Sequence, residues 1–191
     1  DEGKEEEAIK AYQNAISSYS REIALVGKLR IANIQAKRPY SDEYREAIKV
    51  YQEITNLYPE TPQAEEAMLR KGLTLTQYGL FTSAIITLEE FMQKYPQNIY
   101  VKKNLIQENI DENLKGLIDR HFREGDYFAL VSSYNDYKAK YLFNFRFDTT
   151  LFQTATAHRR LGFNEEALDI INFLETRSKG TVSELVQLEK A

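Results

Sequence analysis

The chain has 191 residues, 42% of them apolar and 28% charged, enough to bury one sizeable core or to build one short solenoid. Eight glycines and four prolines leave few breakers, which favours long helices over tight hairpins. Cysteine is absent, which excludes disulfides, thiolate metal sites and cysteine nucleophiles, and the formal net charge of -4 argues against a phosphate-backbone ligand, which needs a concentrated basic face.

Helical period runs through the chain. The acidic run Glu5-Glu6-Glu7 reads as a solvated first turn favoured by the helix dipole. Ala8, Tyr12, Ala15, Ile16 and Tyr19 follow at spacings of three and four, one apolar stripe. Ala47, Ile48, Tyr51, Ile54 and Leu57 repeat the stripe, and Tyr58-Pro59 stops it. Ala84, Ile85, Leu88, Phe91, Met92 and Tyr95 do the same ahead of Pro96. Ala167, Ile170, Ile171 and Leu174 form a further copy. No segment alternates convincingly with period two. Tyr141 to Phe147 comes nearest and is assigned to a connection between helices. No apolar run approaches the roughly 18 residues that span a bilayer. The start at Asp1 and the interrupted helical pattern from Val182 to Ala191 suggest an excerpt of a longer protein.

Three of these stretches align with one another. They are residues 44–59, 81–96 and 163–178. In each, an alanine is followed by large apolar residues four and seven positions on. Two have an upstream helix that ends in glycine, Gly79 and Gly162, where a left-handed cap fits. Seven residues before each glycine stands a small residue, Gly72 and Ala155, which lets two helices approach closely.

A helix with a small residue midway, a turn glycine, then alanine and an aromatic on a second helix with a terminal proline resembles the tetratricopeptide repeat. The strongest copy spans residues 65–96, with Gly72, Tyr78-Gly79, Ala84, Leu88, Phe91 and Pro96. Residues 148–178 carry Ala155, Leu161-Gly162, Ala167, Ile171 and Leu174. Residues 21–59 form a third copy, with Ala32 at the small position and an enlarged turn from Lys37 to Asp42. Residues 111–141 are a degenerate copy: Gly125-Asp126-Tyr127 makes a good turn, but Ile118 replaces the small residue and Ala129 arrives one position early. Residues 1–20 match only the second helix of a partial repeat, and residues 182–191 the start of a further helix. The joint from Tyr58 to Ala67 looks like that of bacterial envelope repeat proteins, such as the BamD-like lipoproteins and the CpoB-like periplasmic proteins. That likeness leans toward an envelope location. The resemblance implies an all-α right-handed solenoid of antiparallel helix pairs in one domain, a TPR-like superhelix.

Chemistry is harder to place. The two histidines, His121 and His158, stand in no nucleophile context and read as packed helix residues. Asp119 and His121 lie roughly 200° apart on a helix and cannot chelate together. Ser133-Tyr134-Asn135 lacks the companion elements of a serine acyl-transfer site. No glycine-rich phosphate loop exists. No catalytic residue, metal site or cofactor is expected, and the chain does not read as an enzyme.

The expected function is a protein–protein interaction scaffold holding a peptide or partner protein in a concave groove lined by the first helix of each pair. By register the groove positions are Leu69, Arg70, Leu73, Thr76 and Gln77, then Phe152, Gln153, Thr156, Arg159 and Arg160. Leu29, Arg30, Asn33 and Lys37 continue the face. The Lys/Asn carboxylate clamp of chaperone-binding repeats is not reproduced. Tyr134, Tyr137, Tyr141, Phe143 and Phe145 form a possible aromatic patch, since aromatics concentrate at interface cores. The alternatives are a self-associating spacer in a larger bacterial envelope assembly, in which homo-oligomers form, and an accessory or carbohydrate-binding segment of an enzyme complex.

Overall fold

In a computed structural model, residues 2–18, 20–38, 42–141 and 147–177 are described. They form helices and turns, and no strand occurs among them. The helices are α1 (Glu2–Ser18), α2 (Arg21–Gln35), α3 (Glu43–Leu57), α4 (Pro62–Gln77) and α5 (Phe81–Lys94). They continue as α6 (Ile99–Lys102), α7 (Leu105–Glu124), α8 (Tyr127–Tyr141), α9 (Asp148–Arg160) and α10 (Asn164–Arg177). The chain divides into two compact units, residues 1–110 and 111–191.

In the first unit each helix packs on its neighbour in sequence, α1 on α2, α2 on α3, α3 on α4 and α4 on α5. The alanine-based stripes face inward. Ala47, Tyr51 and Ile54 on α3 and Ala84, Leu88 and Phe91 on α5 are all buried. Each large apolar side chain taken from water contributes about 1.5–3 kcal/mol, so these stripes, more than helix propensity, hold the pairs together. Where α4 meets α5, a Cβ on Gly72 would lie 2.6 Å from Leu88 Cδ2, so only glycine lets the helices come this close. Gly79 closes the turn with φ 69°, the left-handed cap its place at the helix end required. Gly125 and Gly162 repeat that conformation at the corresponding turns of the second unit.

The joint between α3 and α4 is capped rather than merely broken. Thr61 Oγ1 accepts from Ala64 N at 3.2 Å, and Pro62 occupies the first turn, where its missing N–H costs nothing. The enlarged turn before α3 is held from outside. Tyr78 donates its hydroxyl toward the Ala36 and Arg38 carbonyls, 3.3 and 3.0 Å away, and its ring stacks on Tyr44 at 3.8 Å. Arg38 reaches Glu6 at 2.7 Å, Glu43 at 3.0 Å and Glu5 at 3.4 Å. Two of the three acids of the run Glu5-Glu6-Glu7 are therefore ion-paired rather than simply solvated. Residues 39–41 of that turn lie outside the described residues.

In the second unit α8 packs on α9 and α9 on α10. Ala167, Ile171 and Leu174 are buried, as the repeated stripe required. In the degenerate stretch bulk replaces smallness: Ile118 and Leu130 are fully buried, and Leu130, not Ala129, stands five residues after the turn glycine. The helix feeding that turn is longer than the repeat spacing suggests. It begins at Leu105, ahead of Asp111, after the extra short helix α6 and Asn104 in the left-handed region at φ 58°. The expected connection across residues 142–146 and the helix start at 182–191 lie outside the described residues.

Candidate partner-binding site

Arg30 and Asn33 stand three residues apart on α2, and Glu66 and Arg70 four apart on α4, so each pair shares a helix face. The two helices lie against each other across the intervening α3. That contact turns two local pairs into one cluster. Arg30 Nη1 donates to Glu66 Oε1 at 2.8 Å, and Asn33 Nδ2 donates to the same oxygen at 3.2 Å. Arg70 Nε stands 3.8 Å from it. Behind them Tyr51 of α3 donates its hydroxyl to Asn33 Oδ1 at 2.8 Å, which fixes the amide's orientation toward Glu66.

One carboxylate thus serves two guanidiniums. The Arg30 and Arg70 side chains remain 43% and 46% exposed, so each keeps N–H donors facing solvent. The Tyr51 hydroxyl is pushed up to about 12, chiefly by burial; the charge of Arg70 and a hydrogen bond donated by Thr74 partly offset this, and Glu66 adds to it. Tyr51 therefore stays a neutral donor at any physiological pH.

The other sequence-derived groove positions separate into distinct environments. Leu29 and Leu69 are buried in the core. Leu73 and Thr76 are half-buried on α4, Gln77 is exposed at its end, and Lys37 is exposed beyond α2. Thr76 Oγ1 donates to the Gly72 carbonyl at 3.1 Å, which occupies its proton. In the second unit Phe152, Gln153 and Thr156 are half-buried on α9, whereas Arg159 and Arg160 are exposed. Gln153 Oε1 is buried and accepts no hydrogen bond from the described residues. Of the aromatic patch, Tyr134 is buried, Tyr137 is half-buried, and Phe143, Phe145 and the Tyr141 side chain lie outside the described residues.

Glu66 and Tyr51 were not among the sequence-derived positions. Glu66 had a readable signal, its spacing of four from Arg70. Tyr51 had none, because a tyrosine on a core stripe gives no hint of where its hydroxyl points.

The two histidines sit on different helices, His121 on α7 and His158 on α9. His158 is buried, and since a carbonyl can only accept, its Nδ1 carries the proton donated to the Thr154 carbonyl at 2.8 Å. Asp119 pairs with Lys115 at 2.5 Å rather than with His121. Among the described residues no cluster of three metal-ligating side chains occurs, and no helix is long and apolar enough to cross a membrane.

Residues 28–61 and 66–98 match the family model of the tetratricopeptide repeat. These two segments are tetratricopeptide repeats. Comparison with curated proteins gives no match. The first repeat holds Arg30, Asn33 and Tyr51, and the second opens on Glu66 and Arg70, so the polar cluster joins the two. Tetratricopeptide repeats mediate protein–protein interaction and are typically non-catalytic. Among the described residues the chain is accordingly an all-α helical protein that carries two tetratricopeptide repeats.

Proposed function

We propose that the chain is a scaffold that holds a partner protein by an acidic peptide segment laid along α2 and α4. The observation that carries this is the cluster around Glu66, where one carboxylate is gripped by Arg30 and Asn33 with Arg70 beside it. Glu66 marks where a carboxylate is held in this fold. The two guanidiniums leave a positive remainder and free donors for a second one. Leu73, Thr76 and Gln77 extend the same face along α4 with apolar and neutral polar contacts. In the second unit Phe152, Gln153, Thr156, Arg159 and Arg160 occupy the corresponding face of α9 and serve the same class of ligand.

The test is fluorescence anisotropy with a short labelled peptide of alternating glutamate and leucine, beside its glutamine counterpart. The glutamate peptide binds wild type more tightly. The Arg30→Ala, Arg70→Ala double variant loses about tenfold or more, roughly 1.4 kcal/mol. Glu66→Gln removes the internal competitor, so it tightens binding rather than weakening it. Equal binding of the two peptides, or a double variant that binds like wild type, rules the reading out.

A further inference from the structure

The second unit holds a cleft with an acidic rim. The cleft, of about 470 Å³, opens between α8, the turn before α10, and α10 itself. Its floor is apolar and buried, formed by Val131, Tyr134 and Ile170, with the His158 ring beneath. His158 meets Tyr134 edge-on at 5.9 Å and Phe163 at 6.3 Å, so the three rings form a connected wall. Two aromatic surfaces face the solvent at the mouth, Phe163 of that wall, 45% exposed, and Phe128, 74% exposed. An isolated exposed phenylalanine needs no explanation, but two flanking a concave apolar floor are what a partner's side chain would cover.

The rim decides what kind of side chain. Asp136, Glu166 and Asp169 line the cleft, against a single cation, Lys138. None of the three carboxylates is ion-paired among the described residues. The mouth thus carries two uncompensated negative charges over an aromatic wall. Lys138 already shows the wall's preference, since its Nζ lies 5.9 Å from the Tyr134 ring centroid, within cation–π range. An acidic or neutral occupant gains nothing from this rim.

We infer that the cleft binds a basic peptide segment of a partner protein, one that presents an arginine or lysine next to an apolar residue. The apolar residue covers the floor at Val131, Tyr134 and Ile170. The aliphatic stem of the basic residue lies along Phe128 and Phe163, and its charged head meets Asp136, Glu166 and Asp169. Arginine suits the site best, because its planar guanidinium both stacks on a ring and pairs with carboxylates. This site is independent of the anion-holding face of the first unit.

The test uses an array of random twelve-residue peptides, probed with the full chain and three variants. One variant neutralises the cleft (Asp136→Asn, Glu166→Gln, Asp169→Asn). One neutralises three exposed acids elsewhere (Glu7→Gln, Glu60→Gln, Glu112→Gln). The third is Phe128→Ser, a mouth residue so exposed that the fold does not depend on it. Wild type and the control variant select peptides enriched in arginine or lysine beside leucine or phenylalanine. The cleft variant and Phe128→Ser reduce that enrichment roughly fivefold or more. The inference is overturned if wild type binds no peptide, if the bound set has no basic bias, if the bias survives in the cleft variant, or if the control variant loses it equally. Exchange of the bound arginine for citrulline, neutral and nearly isosteric, abolishes binding; retained binding also overturns it. Sedimentation of wild type alone separates a further outcome: self-association abolished by Phe128→Ser would assign the cleft to a second copy and overturn the peptide reading.

Discussion

At the scale of single residues, Gly72 resists replacement because of what a side chain there would meet. Alanine there would improve helix propensity by about 1 kcal/mol. Its Cβ, however, would stand 2.6 Å from Leu88 Cδ2 and 2.9 Å from Leu88 Cγ, and Leu88 is fully buried with no room to retreat. Overpacking costs of about 1–3 kcal/mol exceed the gain. Gly72→Ala therefore lowers stability by a net 1 kcal/mol or so, measured by urea unfolding. A variant at least as stable as wild type would mean that α4 and α5 can separate freely. Glu66 shows the opposite economy. Its pairs with Arg30 and Arg70 are partly exposed, so Glu66→Gln costs under about 1 kcal/mol of stability while changing the charge of the face outright. That contrast is what allows the peptide-binding test to be read without a folding artefact.

At the scale of helices, the degenerate fourth pair asks whether restoring the family's small residue would help. The answer expected here is no. Leu130 is fully buried, so its side chain fills the space that a small residue leaves to the partner helix in the other pairs. Leu130→Ala opens a cavity and costs about 2–4 kcal/mol, seen as an earlier unfolding transition. A neutral result would show that α8 closes up to the family spacing. The alanine-led stripes were legible because burial of one helix face forces a period of three and four, and Ala47, Ala84 and Ala167 all proved buried at the positions that period required. The longer α7 was equally periodic, with Ile106, Ile110, Leu114 and Leu117 all buried, but the repeat length drew the boundary at Asp111 instead. The short α6 and the left-handed Asn104 carry almost no periodic signal, because a single turn cannot show one. The proposed binding face was half legible. Register placed Arg30, Asn33 and Arg70 on first helices, but the convergence of Arg30 and Asn33 on Glu66 joins residues more than thirty apart in sequence, which no local pattern encodes.

At the scale of the whole molecule, a net charge of -4 conceals two local excesses of opposite sign, a basic one at Arg30 and Arg70 and an acidic one at Asp136, Glu166 and Asp169. Each unit also holds one buried tyrosine whose hydroxyl is pushed up to about 12 by burial, Tyr51 in the first and Tyr134 in the second. The consequence for stability has a definite sign. A tyrosine in the unfolded chain releases its proton near the ordinary value of about 10, whereas these two hold theirs in the fold until about 12. Between those values the folded state binds more protons, so stability is full below about pH 10 and falls as pH rises toward 12. Each tyrosine should account for about 1 kcal/mol of loss between pH 9 and pH 11. Urea midpoints at the two pH values measure this. Tyr134→Phe and Tyr51→Phe should each flatten the decline by that share. Tyr51→Phe should also lower stability by about 1 kcal/mol at pH 9, because the hydrogen bond to Asn33 is lost. If the double variant declines as steeply as wild type, lysine titration rather than these buried hydroxyls governs alkaline unfolding. If only one substitution flattens the curve, the unit containing it limits the stability of the chain at high pH.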